Sequence, residues 1–366
     1  MREALLISKP IAPPWTDSNK NLVRDLARAM TRTRARVMVP EGQDFEGAIS
    51  EPVYRAAGAY APSRAANARV LLRLVTGQRA DVWHFFFAPN PLTLRAGRIA
   101  AAIRSTPTVH TIASAPDSLE RVAPMLFADR VVVLSKHTAK RLEAVGVKPT
   151  VIPPAIGDVV LGDDAVRRAK ERYGLPERYA LYPGDLEHSD GAATFVRAAA
   201  RCASSGLGFV VAARPKTPAA HAAKERLEAD AKARGAKVTW LGEIDDIHAV
   251  VAGASVVELV VDTLHAKMDY PLVLLEALLL DVPVLVSAGT AGEELVASGG
   301  ATALAAGDDE ALAKACESLA SDPEKSRERG AAGGRWVRET CGPSVVAEAY
   351  ERVYDEVIAN RASRTV

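Results

Sequence analysis

Lys-Met-Asp-Tyr-Pro-Leu-Val-Leu-Leu-Glu, from Lys267 to Glu276, runs on as Ala-Leu-Leu-Leu-Asp-Val-Pro-Val-Leu-Val-Ser to Ser287. An acidic residue opens an apolar helical stretch, Asp281 breaks it, and a short β-branched strand follows. That order is the layout of a parallel α/β sheet whose connecting loops hold a nucleotide.

Outward from this segment the same alternation repeats. Apolar runs at Ala4–Ile7, Arg36–Val39, Val82–Phe87, Thr108–Ile112, Arg130–Leu134 and Val151–Pro153 are separated mostly by longer helical patterns. A second series follows at Tyr179–Tyr182, Gly208–Ala212, Lys237–Trp240, Val256–Val260, Pro283–Val286 and Ala301–Leu304. Short strands alternating with helices predict parallel sheets covered on both faces. Two doubly wound domains in sequence are the simplest architecture. Pro153, Pro154 and Gly157 break regular structure between them and form the expected hinge. After Pro323 the pattern is helical, and Ser344–Ala359 reads as a terminal helix with Tyr350, Val353 and Val357 on one face.

With 48% hydrophobic and 25% charged residues in 366, the chain has the composition of a soluble globular protein with room for two cores. No apolar stretch approaches a membrane span. The apolar run near the N-terminus is too short for a signal peptide and reads as a first strand, so the expected location is cytoplasmic. Cys202, Cys316 and Cys341 lack paired spacing, which gives no expectation of a disulfide framework or zinc site. Residues 1–158 hold 22 Lys+Arg against 13 Asp+Glu, and the remainder 24 against 32. Halves of opposite sign fit two domains across a cleft. Arg24, Arg28 and Arg32 recur at helical spacing, with Arg34 and Arg36 close behind. They read either as a solvated face or as a surface drawn to anionic lipid or an acidic acceptor. No motif suggests nucleic acid.

Several segments together carry a resemblance. They are Pro13-Pro14-Trp15, Val109-His110-Thr111, Ala128 to Ser135, Gly146-Val147, Leu181-Tyr182-Pro183-Gly184, Leu241-Gly242-Glu243 and the helix bearing Glu276. With them the chain resembles a family 4 glycosyltransferase. The resemblance implies the GT-B architecture: two facing Rossmann-like doubly wound domains, residues 1–157 on the acceptor side and 158–342 binding the nucleotide-sugar, with 343–366 returning as a helix to the first. It also implies that Glu276 binds the donor ribose and that His110 reaches the transferred sugar. Lys267 and Asp269 are the other catalytic candidates. Gly184, Arg214, Lys216, Gly242, Leu272, Val273 and Thr290 join Glu276 as donor-binding candidates.

The departures matter as much. Family members typically place an arginine and a lysine where this chain has Asp185 and Asp190, and an acid where it has Met268. Carboxylates there would repel a diphosphate. Arg214 and Lys216, on a loop at a strand's carboxyl end, and Lys267 could rebuild the positive site. Pro271 suits the first turn of a helix whose free amides accept phosphate, and Gly289-Thr290-Ala291-Gly292 is a second turn of that kind.

The expected activity is retaining transfer of a sugar from a nucleotide-sugar donor to a glycan or lipid-linked hydroxyl acceptor, in cell-envelope, polysaccharide or glycolipid biosynthesis. It is expected to need no metal or resident cofactor, the nucleotide-sugar being a co-substrate, and to allow peripheral contact with the inner face of a membrane. Two alternatives stand beside it. One is a catalytically inactive binding protein on the same fold. The other is a different enzyme such as a nucleotide-sugar epimerase.

Overall fold

The computed structural model describes residues 1–15, 17–56, 63–114, 119–215, 217–242, 244–264 and 267–364. The chain forms two compact units, residues 1–157 with 340–366, and residues 158–339. The first holds 25 Lys+Arg against 16 Asp+Glu and the second 21 against 29, so their formal charges are +9 and −8.

In chain order the first unit contains β1 (Arg2–Ile7), α1 (Ser18–Ala29), β2 (Thr33–Pro40), β3 (Ile49–Tyr54), α2 (Arg64–Thr76), β4 (Val82–Phe86) and α3 (Pro91–Arg104). It continues with β5 (Thr108–Ile112), α4 (Leu119–Val122), β6 (Arg130–Val133), α5 (Lys136–Glu143) and β7 (Thr150–Val151). All strand pairs are parallel, in the order β3-β2-β1-β4-β5-β6-β7. β3 is absent from the sequence expectation because Glu51 and Pro52 interrupt its apolar pattern. It lies at the sheet edge, where a proline's missing donor is tolerated.

The second unit contains α6 (Ala165–Tyr173), β8 (Tyr179–Tyr182), α7 (Gly191–Arg201), β9 (Gly208–Ala212), α8 (Pro218–Ala233), β10 (Val238–Leu241), α9 (Ile247–Ala252) and β11 (Val256–Leu259). After these come α10 (Leu272–Leu279), β12 (Val284–Ser287), a 3-10 helix (Ala291–Ser298), β13 (Ala301–Leu304), α11 (Asp309–Ser321) and α12 (Pro323–Cys341). Its six strands are parallel in the order β10-β9-β8-β11-β12-β13. Both sheets therefore reverse strand order once, at β1/β4 and at β8/β11. Open α/β sheets bind ligands outside the carboxyl ends of the strands flanking such a reversal.

The last helix, α13 (Pro343–Arg364), belongs to the first unit. Tyr350, Val353 and Val357 are buried on its inner face, as their spacing predicts, and Tyr354 joins them. A buried polar chain fixes the helix to the sheet. The two ring nitrogens of His84 lie 2.6 Å from the Tyr354 hydroxyl and 2.7 Å from Thr111 Oγ1, which is 3.0 Å from the Tyr350 hydroxyl. Burial pushes His84 well below the ordinary histidine range, so it is held neutral. At the rim, Arg2 and Arg32 pair with Asp355, Arg32 also with Glu351, and Arg130 with Glu356.

The arginines that read as one basic stripe are mostly engaged internally. Arg24 pairs with Asp25 and lies over Trp15, and Arg28 lies over Phe45. Arg36 is buried between Glu3 and Glu51.

α12 reaches the second unit's core through glycines rather than side chains. A Cβ at Gly330 would overlap the Asp281 carbonyl, and one at Gly333 the Leu278 side chain. A helical glycine ordinarily gains about 1 kcal/mol on becoming alanine. Here backbone stands in the way, so Gly330→Ala is expected to lower stability by about 3 kcal/mol in urea unfolding. A gain in stability would show that the close approach is not needed.

Candidate functional site

The loops at the carboxyl ends of β8 and β11 meet at the reversal point of the second sheet. β8 ends at Tyr182, whose ring is buried and whose hydroxyl donates to the Asp185 carbonyl at 2.8 Å. Gly184 is required by this ring, because a Cβ there would overlap it. The loop thus wraps the tyrosine and presents Asp185 toward β11.

Asp185 does two jobs. Its Oδ1 accepts the backbone N–H groups of Glu187 at 3.2 Å and His188 at 2.7 Å, and its Oδ2 forms an ion pair with Lys267. The two residues lie 82 positions apart in sequence. Burial lowers the Lys267 amine to about 8, while contact with the carboxylate acts in the opposite direction by favouring the charged form. A second link crosses the same point, where the Asp190 N–H donates to Asp262 Oδ1 at 2.8 Å. Asp190 itself stands at the N-cap of α7 with its side chain exposed.

Neighbouring loops join the cluster. Thr217 caps α8 and bonds Glu187 across to the β8 loop. Arg214, after β9, is half-buried and engaged. Lys216 lies outside the described residues, as does Glu243. Met268, Asp269 and Tyr270 are buried, with the Tyr270 hydroxyl donating to Glu294 Oε2 at 2.7 Å. Pro271 takes the N-cap position of α10, one residue before the first turn. Behind it Leu272 is buried and Val273 half-buried.

Glu276, on α10, is mostly covered, and its Oε1 lies 3.4 Å from His248 Nε2 on α9. Gly242, at the end of β10, is exposed, with open space where a Cβ would sit. The turn after β12 is occupied by its own residues. Gly289 N–H donates to Glu293 Oε2 at 2.7 Å and Gly292 N–H to Thr290 Oγ1 at 3.2 Å. The amides expected to face phosphate there are already satisfied, one by a carboxylate.

A pattern emerges in which carboxylates take the places an anion would fill. Asp185 sits on two loop amides and Lys267, Asp262 on the Asp190 amide, and Glu293 on the Gly289 amide. Each is a charge-assisted bond that a phosphate oxygen could form in its stead.

His110 belongs to the first unit, in β5, and is fully buried. Its Nε2 lies 2.9 Å from the Phe87 carbonyl, which makes Nε2 the N–H donor and Nδ1 the acceptor. That Nδ1 has no partner among the described residues. Burial lowers the ring to about 4, so it is neutral near pH 7.

The structure therefore gathers Gly184, Lys267, Asp269 and Thr290 on loops after β8, β11 and β12, whereas His110 belongs to β5 of the first unit. His248, Asp262 and Glu293 are absent from the sequence expectation. Asp262 had a usable signal, since it directly follows the apolar run of β11. Nothing in the sequence pattern singles out His248.

Two family models match the chain: "Glycosyltransferase Family 4" over residues 20–158 and "Glycosyl transferases group 1" over residues 177–322. No curated protein matches. Among solved structures, HepE of Anabaena in complex with UDP and glucose is similar, with a TM-score of 0.78 at 15% identity over 97% of this chain and 100% of that one. Sucrose-phosphate synthase of Thermosynechococcus elongatus has a TM-score of 0.76 at 19% identity, covering 98% and 100%. WaaG, a glycosyltransferase involved in lipopolysaccharide biosynthesis, has a TM-score of 0.65 at 15% identity, covering 97% and 99%.

Proposed function

Because this chain belongs to the glycosyltransferases of family 4 and group 1, with the GT-B fold, we propose that it transfers a sugar from a nucleotide-sugar to a hydroxyl acceptor with retention at the anomeric carbon. The observation that carries this reading is Lys267 opposite Gly184 and Asp185 at the β8/β11 reversal, where such sheets hold nucleotides. HepE, which shares the fold, was solved with UDP-glucose.

In this reading the diphosphate displaces Asp185 from Lys267. Arg214 and Lys216 add charge from the neighbouring loop, and Glu276 accepts the ribose hydroxyls with His248 beside it. The bond from the anomeric carbon to the diphosphate breaks, its electron pair leaving with the diphosphate oxygen, the acceptor oxygen bonds to that carbon, and the acceptor's proton passes to the departing diphosphate. Lys267 and the loop cations stabilise the departing charge, an electrostatic contribution fixed before reaction. No metal or resident cofactor takes part. Asp269 is assigned to the sugar on the donor side, and by the family resemblance so is His110, whose Nδ1 has no partner among the described residues. The acceptor is a glycan or a lipid-linked hydroxyl, and the +9 charge of the first unit favours peripheral contact with an anionic membrane from the cytoplasmic side.

A second reading is favoured by one observation. Asp185 already satisfies Lys267 and two amides, as it would in a binding protein that has lost its donor site.

Calorimetric titration with UDP, GDP, ADP and their sugar conjugates separates the two. Micromolar binding of one nucleotide, weakened at least tenfold by Glu276→Ala, is the expected result. Absence of binding to all of them establishes the second reading.

A further inference from the structure

Large aliphatic side chains are exposed on α2 and α3 in an unusual grouping. Leu92, Ile99 and Ile103 on α3 are 71%, 60% and 60% exposed, and Leu72 on α2 is 62% exposed. At about 100° per residue, the three on α3 fall within roughly 20° of one line along the helix. The two helices pack side by side, and Arg104 joins their C-terminal ends by donating to the carbonyls of Val75 and Gly77 at 2.9 and 2.8 Å. Leu72 therefore lies level with Ile99 and Ile103. Single exposed aliphatics need no explanation, but a shared face of four does.

The charges around this face have one sign. α2 and α3 contain six arginines, at positions 64, 69, 73, 95, 98 and 104, and no Asp or Glu. Arg73 is spent on Glu51, and Arg104 on the helix ends. Arg64, Arg95 and Arg98 are exposed and form no ion pair among the described residues, Arg98 donating one N–H to the Met125 carbonyl at 3.0 Å. Apolar side chains flanked by arginines, with no acid on either helix, match a surface whose interior is hydrocarbon and whose rim is anionic. A second copy of the same face would bring arginine against arginine and be repelled.

We propose that the α2–α3 face docks the first unit on an anionic lipid bilayer, with Leu72, Leu92, Ile99 and Ile103 entering the boundary below the headgroups and Arg64, Arg95 and Arg98 meeting the phosphates. This deepens the acceptor side of the proposed function and moves the membrane contact from the α1 arginines, which are internally engaged, to a different face. Binding is read without nucleotide, so it can fail while the transferase reading stands, and the reverse.

The test is co-sedimentation of the full chain with phosphatidylcholine vesicles made with and without phosphatidylglycerol. The expected result is binding only to the phosphatidylglycerol vesicles, weakening as salt rises. Each arginine replaced, Arg64→Ala or Arg95→Ala, should weaken it about fivefold. The double substitution Ile99→Glu with Ile103→Glu should abolish it while leaving thermal unfolding unchanged. Equal binding to both vesicle types, no sedimentation with either, or retention by the Ile99/Ile103 variant overturns the proposal. So does light scattering that shows a dimer dispersed by that variant, which would make this face a contact between copies.

Discussion

Asp185→Asn is expected to strengthen nucleoside diphosphate binding by about tenfold, and Lys267→Ala to weaken it by at least as much, roughly 1.4 kcal/mol either way. Asp185 and the diphosphate compete for one ammonium group, and at a half-buried site each like charge removed is worth about that amount or more. Asparagine keeps an oxygen for the Glu187 and His188 amides, so the loop is retained. The gain should fade as pH rises through about 8, because burial brings Lys267 down to that value and the neutral amine no longer attracts phosphate. Calorimetry at pH values on either side of it measures both effects. Equal affinities for both variants and the parent would mean that the diphosphate does not bind beside Lys267.

Glu258→Gln should make the protein markedly more stable at pH 8 and change it little at pH 5. Glu258 is fully buried in β11; one oxygen accepts the Val260 N–H at 2.8 Å and the other has no partner among the described residues. Burial raises its carboxyl from 4.5 to about 8, so the folded protein holds a proton that the unfolded chain has released. Between those values the folded state holds the extra proton on Glu258, whose own contribution to stability falls with rising pH by about 1.4 kcal/mol per pH unit before levelling off. His84 and His110, buried and neutral, contribute with the opposite sign below about pH 6.5. Glutamine supplies the same acceptor without an ionisable group, so the Glu258 contribution should vanish and leave only that of the other groups. Urea unfolding across that range checks it, and a slope preserved in the variant would assign the pH dependence to other groups.

Strands of the second sheet were legible because a parallel strand covered on both faces must be a short continuous apolar run. Tyr179–Tyr182 and Gly208–Ala212 coincide with β8 and β9 for that reason, while Ala301–Leu304 coincides with β13, an edge strand that is only partly buried. β3 escaped because an edge strand can carry Glu51 and Pro52. Asp185 and Asp190 were visible as departures from a pattern of cations, but sequence gives only their charge. That Asp185 would cap its own loop and hold Lys267 is a tertiary fact, created when β8 and β11 become neighbours. Glu293 and Gly289 are four residues apart, yet the pattern of a glycine turn does not say which anion its amide will hold.

The assignment of α13 to the first unit has a consequence for how the protein is made. On the ribosome, residues 1–157 emerge long before the helix that covers β5 and supplies Tyr350 and Tyr354 to the His84 network. Throughout synthesis of residues 158–339 the nascent first sheet has an uncovered apolar strip, and His84 keeps Thr111 but lacks its Tyr354 partner. The second unit is contiguous and can close as soon as it is made. The later-made unit is thus able to fold first, and the earlier one must wait in a state open to chaperones.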